Sequence, residues 1–281
     1  MSLPHDLPLV SIITPVYNGS AYLDDLIVSV RDQDYPRFEH LVIDDGSNDG
    51  GATAAVLKKY PHLRWWSREN RGQYATMNEG LEAASGEIVC FISADDMLAP
   101  HAIRAAVEYL CGPGATADGV YGRYVYIDEH NAPYWYQPLL RRAPLSLYRY
   151  VAFIAHCSLY LRKQALVEHA LYFDRSLHFT GDYDWMVRFG NARLRIGYVD
   201  GVWSMVRWHA DRASQKHVTA IKDEMRMVMG RYGVNRYAYR LLNVSINATL
   251  MLKRLAGAFS RGEPATGWRQ VRAWAGSRRG H

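Results

Sequence analysis

The stretch Glu87-Ile88-Val89-Cys90-Phe91-Ile92-Ser93-Ala94-Asp95-Asp96 decides the fold of this chain. It opens as the apolar run of a strand buried on both faces, as in a parallel sheet. Two adjacent carboxylates close it. Like charges side by side in a low-dielectric setting repel, and one tends to take up a proton. A bound Mg²⁺ or Mn²⁺ removes that conflict, because hard cations prefer oxygen ligands and combine one or two carboxylates with substrate phosphates. The pair also reads as a helix N-cap ahead of Ala99-Pro100-His101-Ala102.

Upstream, strands alternate with helices. Leu9–Thr14 is predicted as a strand stopped by Pro15, and Ser20–Arg31 as an amphipathic helix. Glu39–Ile43 is a second strand, ending in Asp44-Asp45-Gly46-Ser47. A helix over Gly51–Lys59, a short strand at Arg64–Trp66 and a helix over Tyr74–Ser85, closed by Gly86 as C-cap, return the chain to Glu87. This alternation predicts an α/β fold with a mostly parallel sheet flanked by helices. Ligands of such sheets gather at the carboxyl ends of the strands. Three strands here end in Thr14/Tyr17/Asn18, in Asp44/Asp45 and in Asp95/Asp96, so a nucleotide crevice is expected. No Gly-x-Gly-x-x-Gly follows the first strand, and no Gly-Lys-Ser/Thr phosphate loop occurs. Phosphate binding is therefore expected to rest on a metal rather than on a glycine cradle.

A chain of 281 residues, 49% of them hydrophobic, fits one large α/β domain or a domain with an appendage. Three cysteines without CxxC spacing indicate neither a disulfide framework nor a zinc site, and suit a reducing cytoplasm. No signal peptide and no apolar run of membrane-spanning length is visible, so a cytoplasmic location is expected. The net charge of +5 is concentrated near the C-terminus, in Arg231, Arg236, Arg240, Lys253, Arg254, Arg261, Arg269, Arg272, Arg278 and Arg279. Residues 216–281 are expected to form a helical, basic segment with an apolar face, with Trp268 and Trp274 farther on. It reads equally as an anchor peripheral to the inner face of the cell membrane, and as a helix packed on the domain or on a second subunit of a homodimer. Basic residues alone do not specify nucleic acid, and no nucleic-acid partner is expected.

Several blocks of the sequence, in order, resemble family 2 glycosyltransferases of the GT-A fold. They are Ser11-Ile12-Ile13-Thr14-Pro15-Val16-Tyr17-Asn18; Val42-Ile43-Asp44-Asp45-Gly46-Ser47; Glu69-Asn70-Arg71-Gly72-Gln73 with Ala75, Asn78 and Gly80; and Ala83-Ala84-Ser85-Gly86-Glu87 through Asp96. Phe173-Asp174 and Gly181-Asp182-Tyr183-Asp184-Trp185 with Arg188 are similar to the family's acidic acceptor motif. The resemblance implies a catalytic domain over residues 1–215, with a donor half at 8–110 and an acceptor half at 115–215. It implies a nucleoside-diphosphate sugar donor, UDP-linked, contacted by Thr14, Pro15, Tyr17, Asn18, Asp44, Asp45, Arg71, Gln73, Asn78, Ala94, Asp95 and Asp96. Thr14 and Tyr17 would line the base, and Asp44 or Asp45 would accept from a uracil-like NH. Asp95, Asp96 and His209 would hold the divalent cation, Mn²⁺ or Mg²⁺. Asp182 would be the base of an inverting transfer to a glycan or lipid-linked acceptor in cell-surface polysaccharide synthesis, with Asp184 orienting backbone or Arg188. One departure stands out, since Ser93 occupies the position of the first acid in the family's Asp-x-Asp. That departure raises the alternative of a non-catalytic nucleotide-sugar-binding or scaffold protein that retains the fold. The Tyr- and Trp-rich stretch Tyr121–Leu161 offers sugar-stacking faces or ordinary core filling.

Overall fold

The computed structural model describes residues 7–136, 144–210, 212–245 and 248. Its N-terminal half is four strands and the helices between them. They are β1 (Val10–Val16), α1 (Leu23–Arg31), β2 (Phe38–Asp44), α2 (Ala52–Leu57), β3 (Arg64–Ser67), α3 (Gln73–Ala83) and β4 (Ile88–Phe91). These strands lie side by side in the order β3-β2-β1-β4, all parallel. Each apolar strand alternates its side chains between two cores. Ile12, Val42 and Cys90 pack with Leu23, Leu26 and Ile27 of α1, whereas Ile13, Leu41, Ile43 and Phe91 pack with Met77 and Leu81 of α3.

The chain continues with β5 (Met97–Leu98), α4 (Ala102–Leu110), β6 (Gly119–Ile127), β7 (Pro133–Tyr136), β8 (Leu159–Arg162) and α5 (Lys163–Glu168). Then come α6 (Gly181–Asn191), β9 (Ile196–Arg207), α7 (Ala213–Lys216) and α8 (Val218–Arg231). Here the sheet becomes mixed. β8 runs antiparallel to both β4 and β6, β6 pairs parallel with β9, and β5 closes the edge antiparallel to β9. Among the described residues no helix is long and apolar enough to cross a membrane.

Three local expectations are corrected. Pro15 does not stop β1, because it stays in register with Ile43. The carbonyl of Ile13 accepts from Ile92 on the β4 side, so the nitrogen of Pro15, two residues on, faces the same side beyond the last β4 pairing, where no donor is required. Gly86 is no left-handed cap. The helix ends at Ala83, and a Cβ on Gly86 would lie 2.5 Å from Ser11 Oγ and 2.7 Å from the carbonyl of Leu9. Gly86 is needed for close backbone crossing, not for turn geometry. Finally, Asp95-Asp96 do not cap a helix, since β5 follows them and α4 starts only at Ala102.

Candidate active site

The carboxyl ends of β1 and β2 are tied into one ledge. The backbone N–H of Asn18 donates to Ser47 Oγ (2.8 Å), Asn18 Nδ2 donates to Asn48 Oδ1 (2.8 Å), and Asn48 N–H returns a bond to Asn18 Oδ1 (2.9 Å). Tyr17 stands exposed on this ledge. Thr14, by contrast, has 0% of its surface exposed, and its hydroxyl lies 3.0 Å from His40 Nε2. Its side chain supports the ledge from below, so a bound base would meet Tyr17 rather than the Thr14 hydroxyl.

Asp44 and Asp45 are both buried, with different tasks. Asp44 accepts from Ser47 N–H (3.0 Å) and Ser67 Oγ (2.9 Å). Asp45 pairs with Arg68 and accepts from the N–H groups of Arg71 (2.8 Å) and Gly72 (3.0 Å). It thereby shapes the turn that leads into Gln73, the exposed first residue of α3. A carboxylate offers about four lone-pair directions, so Asp44 retains more free capacity for a base NH than Asp45. Asn78 is not part of the ledge. Its amide donates to the Phe173 carbonyl (2.9 Å) and accepts from the Phe173 N–H (2.8 Å), clamping the halves together from inside.

At the end of β4, Ala94 packs under Gly19, and Asp95 and Asp96 point to different neighbours. Asp95 Oδ2 is 3.1 Å from His209 Nε2. Asp96 is buried, and its Oδ1 accepts the backbone N–H of Arg207 at 3.0 Å. Burial, then the charge of Asp95, push the Asp96 carboxyl up to about 7. Burial acts the same way on Asp95, but the His209 bond and the charge of Arg212 outweigh it and hold that carboxyl below its ordinary value. The pair is thus a like-charge couple in which Asp95 stays charged and Asp96 is pushed toward its protonated form, although Arg207 and Arg212 lie close by. A divalent cation at Asp95 and His209, with Asp96 behind, would relieve that repulsion. Among the described residues no group of three or more His, Cys, Asp or Glu side chains is placed to hold a metal ion. The remaining ligands would be phosphate oxygens and water, as is usual for Mg²⁺-type sites.

The acceptor side is built on α6. Asp182 sits in its first turn, with 42% of its side chain exposed and Oδ1 accepting from Tyr183 N–H (2.8 Å). The N-cap is Thr180, which makes no side-chain cap bond, so Asp182 is a first-turn acid rather than the cap itself. Asp184 faces inward and is held by Arg188 (2.9 Å), Arg231 (3.0 Å) and Tyr232 (2.7 Å). The two halves meet at His156. Its Nε2 is 3.3 Å from Ser93 Oγ and its Nδ1 is 3.9 Å from Asp182 Oδ2.

Three residues with a part in this site were not anticipated. Arg207, with 0% exposure, donates to the carbonyl of Asp95 (2.9 Å), to Asn131 Oδ1 (2.5 Å) and to Asp25 Oδ2 (3.0 Å). Glu224 of α8 accepts the N–H groups of His178 (2.7 Å), Phe179 (2.8 Å) and Thr180 (2.6 Å), fixing the loop ahead of Asp182. His156 is the third. Trp268 and Trp274 lie outside the described residues. Of the tyrosines, Tyr121, Tyr124 and Tyr148 are core residues rather than sugar platforms.

A mixed sheet with nucleotide-type strand ends, a carboxylate pair and a facing acid on a helix defines a glycosyltransferase of the GT-A kind. The sequence profile described as Glycosyl transferase family 2 matches residues 11–171, and the chain belongs to that family. An uncharacterized glycosyltransferase of Rickettsia conorii is 32% identical over 74% of this chain and 35% of its own length. TuaG of Bacillus subtilis, which carries the name of a teichuronic acid biosynthesis glycosyltransferase, is 35% identical over 37% of this chain and 42% of its own length. The chain thus spans less than half the length of either relative. Among solved structures, S. aureus TarS residues 1–349 with UDP-GlcNAc has a TM-score of 0.63 at 20% identity, over 78% of this chain and 65% of that one. At that identity the likeness carries the fold alone.

Proposed function

We propose that the chain is an inverting glycosyltransferase that moves a sugar from a UDP-linked donor to a hydroxyl of a glycan or lipid-linked acceptor, in cell-surface polysaccharide synthesis. The observation that carries this reading is the juxtaposition of the Asp95-Asp96 end of β4 with the exposed Asp182 across a single imidazole. TarS has been captured with UDP-GlcNAc and with UDP, and TuaG is named for a wall polymer, which supports the donor and the pathway class.

Tyr17 would present a face to the base and Asp44 an acceptor to its NH, with Asp45 holding the turn that brings Arg71 and Gln73 to the rim. Asp95 and His209, with Asp96 behind them, would hold the cation, which would supply charge neutralisation for the departing diphosphate. Asp182 would take the acceptor's proton, for which it must come within about 2.6–3.2 Å of that hydroxyl. One base and one in-line displacement give inversion. The buried ion pairs of Asp184 hold α6 rigid under Asp182.

The test is a thermal-shift panel of UDP-, GDP- and dTDP-sugars with and without Mn²⁺, followed by turnover of wild type and Asp182→Asn. A ligand that binds only the folded state raises its stability. The expected result is a shift with a UDP-sugar that grows with Mn²⁺, and an Asp182→Asn variant that binds equally but loses roughly 10²–10⁴-fold in kcat. Unchanged turnover in Asp182→Asn would remove it from the base role.

A further inference from the structure

His156 has no part in the mechanism just described, yet it is placed where the two halves touch. It opens the short turn His156–Ser158 ahead of β8, and its side chain is only 15% exposed. One ring nitrogen faces a hydroxyl, Ser93 Oγ at 3.3 Å, and the other faces a carboxylate, Asp182 Oδ2 at 3.9 Å. Charged groups reach it from three directions: Asp182 on α6, Arg212 ahead of α7 and Asp95 after β4. Burial pushes its pKa down, and Asp182 pulls back the other way.

A buried neutral imidazole carries one N–H and one bare nitrogen. A carboxylate only accepts, whereas a hydroxyl can donate or accept. Only one arrangement therefore satisfies both neighbours: the N–H on Nδ1 toward Asp182, and the Ser93 hydroxyl donating to bare Nε2. An acid at position 93 would place acceptors on both sides and demand a charged ring in a buried setting. The serine that departs from the family's motif is thus the residue that lets His156 stay neutral with a defined tautomer. His40 provides the contrast within the same molecule. It is buried against Thr14, its Nδ1 meets no hydrogen-bond partner, and it serves as a core histidine.

We propose that His156 is a positioning residue for Asp182: Ser93 fixes its Nδ1-protonated form, and that N–H orients the Asp182 carboxylate toward the acceptor hydroxyl. The inference rests on the reading of Asp182 as the base. At 3.9 Å the contact is longer than a hydrogen bond and is a charge–dipole contact. The proposal requires the partly exposed carboxylate to turn toward the imidazole N–H when the acceptor binds.

Two measurements on the full chain test this. In protein labelled with ¹⁵N-histidine, with the His156 signals assigned through His156→Asn, NMR is expected to show a neutral Nδ1–H tautomer at pH 7. Asp182→Asn is expected to shift the Nδ1 resonance, and Ser93→Ala to mix the tautomers. An Nε2–H tautomer in the wild type, or no response to Asp182→Asn, overturns the proposal. The second measurement is turnover with the donor selected by the thermal-shift panel. The asparagine amide nitrogen overlays Nδ1 and the glutamine amide nitrogen overlays Nε2. His156→Asn is therefore expected to keep about tenfold more kcat than His156→Gln, at similar donor KM, the worth of one hydrogen bond to a charged group. Equal loss in both variants, with Asp182→Asn inactive, overturns the role of His156 and leaves the base standing. Full activity of Asp182→Asn removes the base and the positioning role with it. The NMR result holds or fails without any donor.

Discussion

The N-terminal and C-terminal halves are held together in opposite ways. In the N-terminal half, each strand end is braced by the next one in sequence. Asn18 bonds to Ser47 and Asn48, and Asp45 to the turn at 68–72, across about 30 residues or fewer. The braces of the C-terminal half span longer stretches of sequence. Arg207 reaches back to Asp25 on α1 across 182 residues, and Glu224 reaches back to the 178–180 loop across 44 to 46. The ledge of β1 and β2 is therefore braced from nearby in sequence, and the loop ahead of Asp182 from farther along the chain.

Breaking Arg207 should cost most. Arg207→Leu removes a buried cation whose partners are distant carbonyls and a carboxylate, and a lost partner of a buried pair costs about 3–5 kcal/mol. Asp25 is 41% exposed and can be rehydrated, which places the loss at the lower end of that range. Urea unfolding reads it, and a loss under about 1 kcal/mol would deny Arg207 its bridging role. Next comes Glu224→Ala, which strips a charged acceptor from several N–H groups and should cost about 2–3 kcal/mol. Its kcat should fall while nucleotide affinity holds, because the loop it fixes leads to Asp182 and not to the ledge. Equal losses in both would show that the halves are not separately braced.

His40 sharpens the comparison through pH. Burial, with a smaller contribution from the charge of His62, lowers its pKa to about 3. A histidine whose folded pKa is depressed binds more protons when unfolded, so stability falls as pH drops below the unfolded value of about 6.5. Between pH 7 and 5 the loss is about 2 kcal/mol, and it continues toward pH 3. His40→Asn should flatten that share of the profile in denaturant titrations at the two pH values. A variant profile parallel to the wild type would show that His40 is not the group responsible. The smallest effect belongs to Asn18→Ala, about 1 kcal/mol for the reciprocal pair with Asn48. It should appear as weaker nucleotide binding in the thermal-shift panel, with kcat in saturating donor unchanged.

This asymmetry explains what could be read from residues alone. The donor strands, their parallel order and the polar strand ends follow from apolar runs and turn residues that lie next to one another. Asp182 was recognisable because its motif, Gly181 to Arg188, is contiguous. Arg207, His156 and Glu224 gave no such signal. Each is an isolated polar residue whose meaning depends on a partner that only the folded sheet supplies. Thr14 and Asn78 show the converse, since motif residues were taken for ligand contacts where burial made them fasteners. Pro15 and Gly86 carried the wrong local meaning because their roles come from neighbouring strands, not from their own turns.

The bonds from α8 to α6 bear on how this enzyme can be divided. The family match ends at residue 171, eleven residues before Asp182. A chain cut there would keep the ledge at the ends of β1 and β2 and lose Asp182. A chain cut after α6 would keep Asp182 but remove Glu224, Arg231 and Tyr232, which seat its helix. The contacts that seat α6 and its flanking loop thus extend well past the recognisable family segment, to Tyr232.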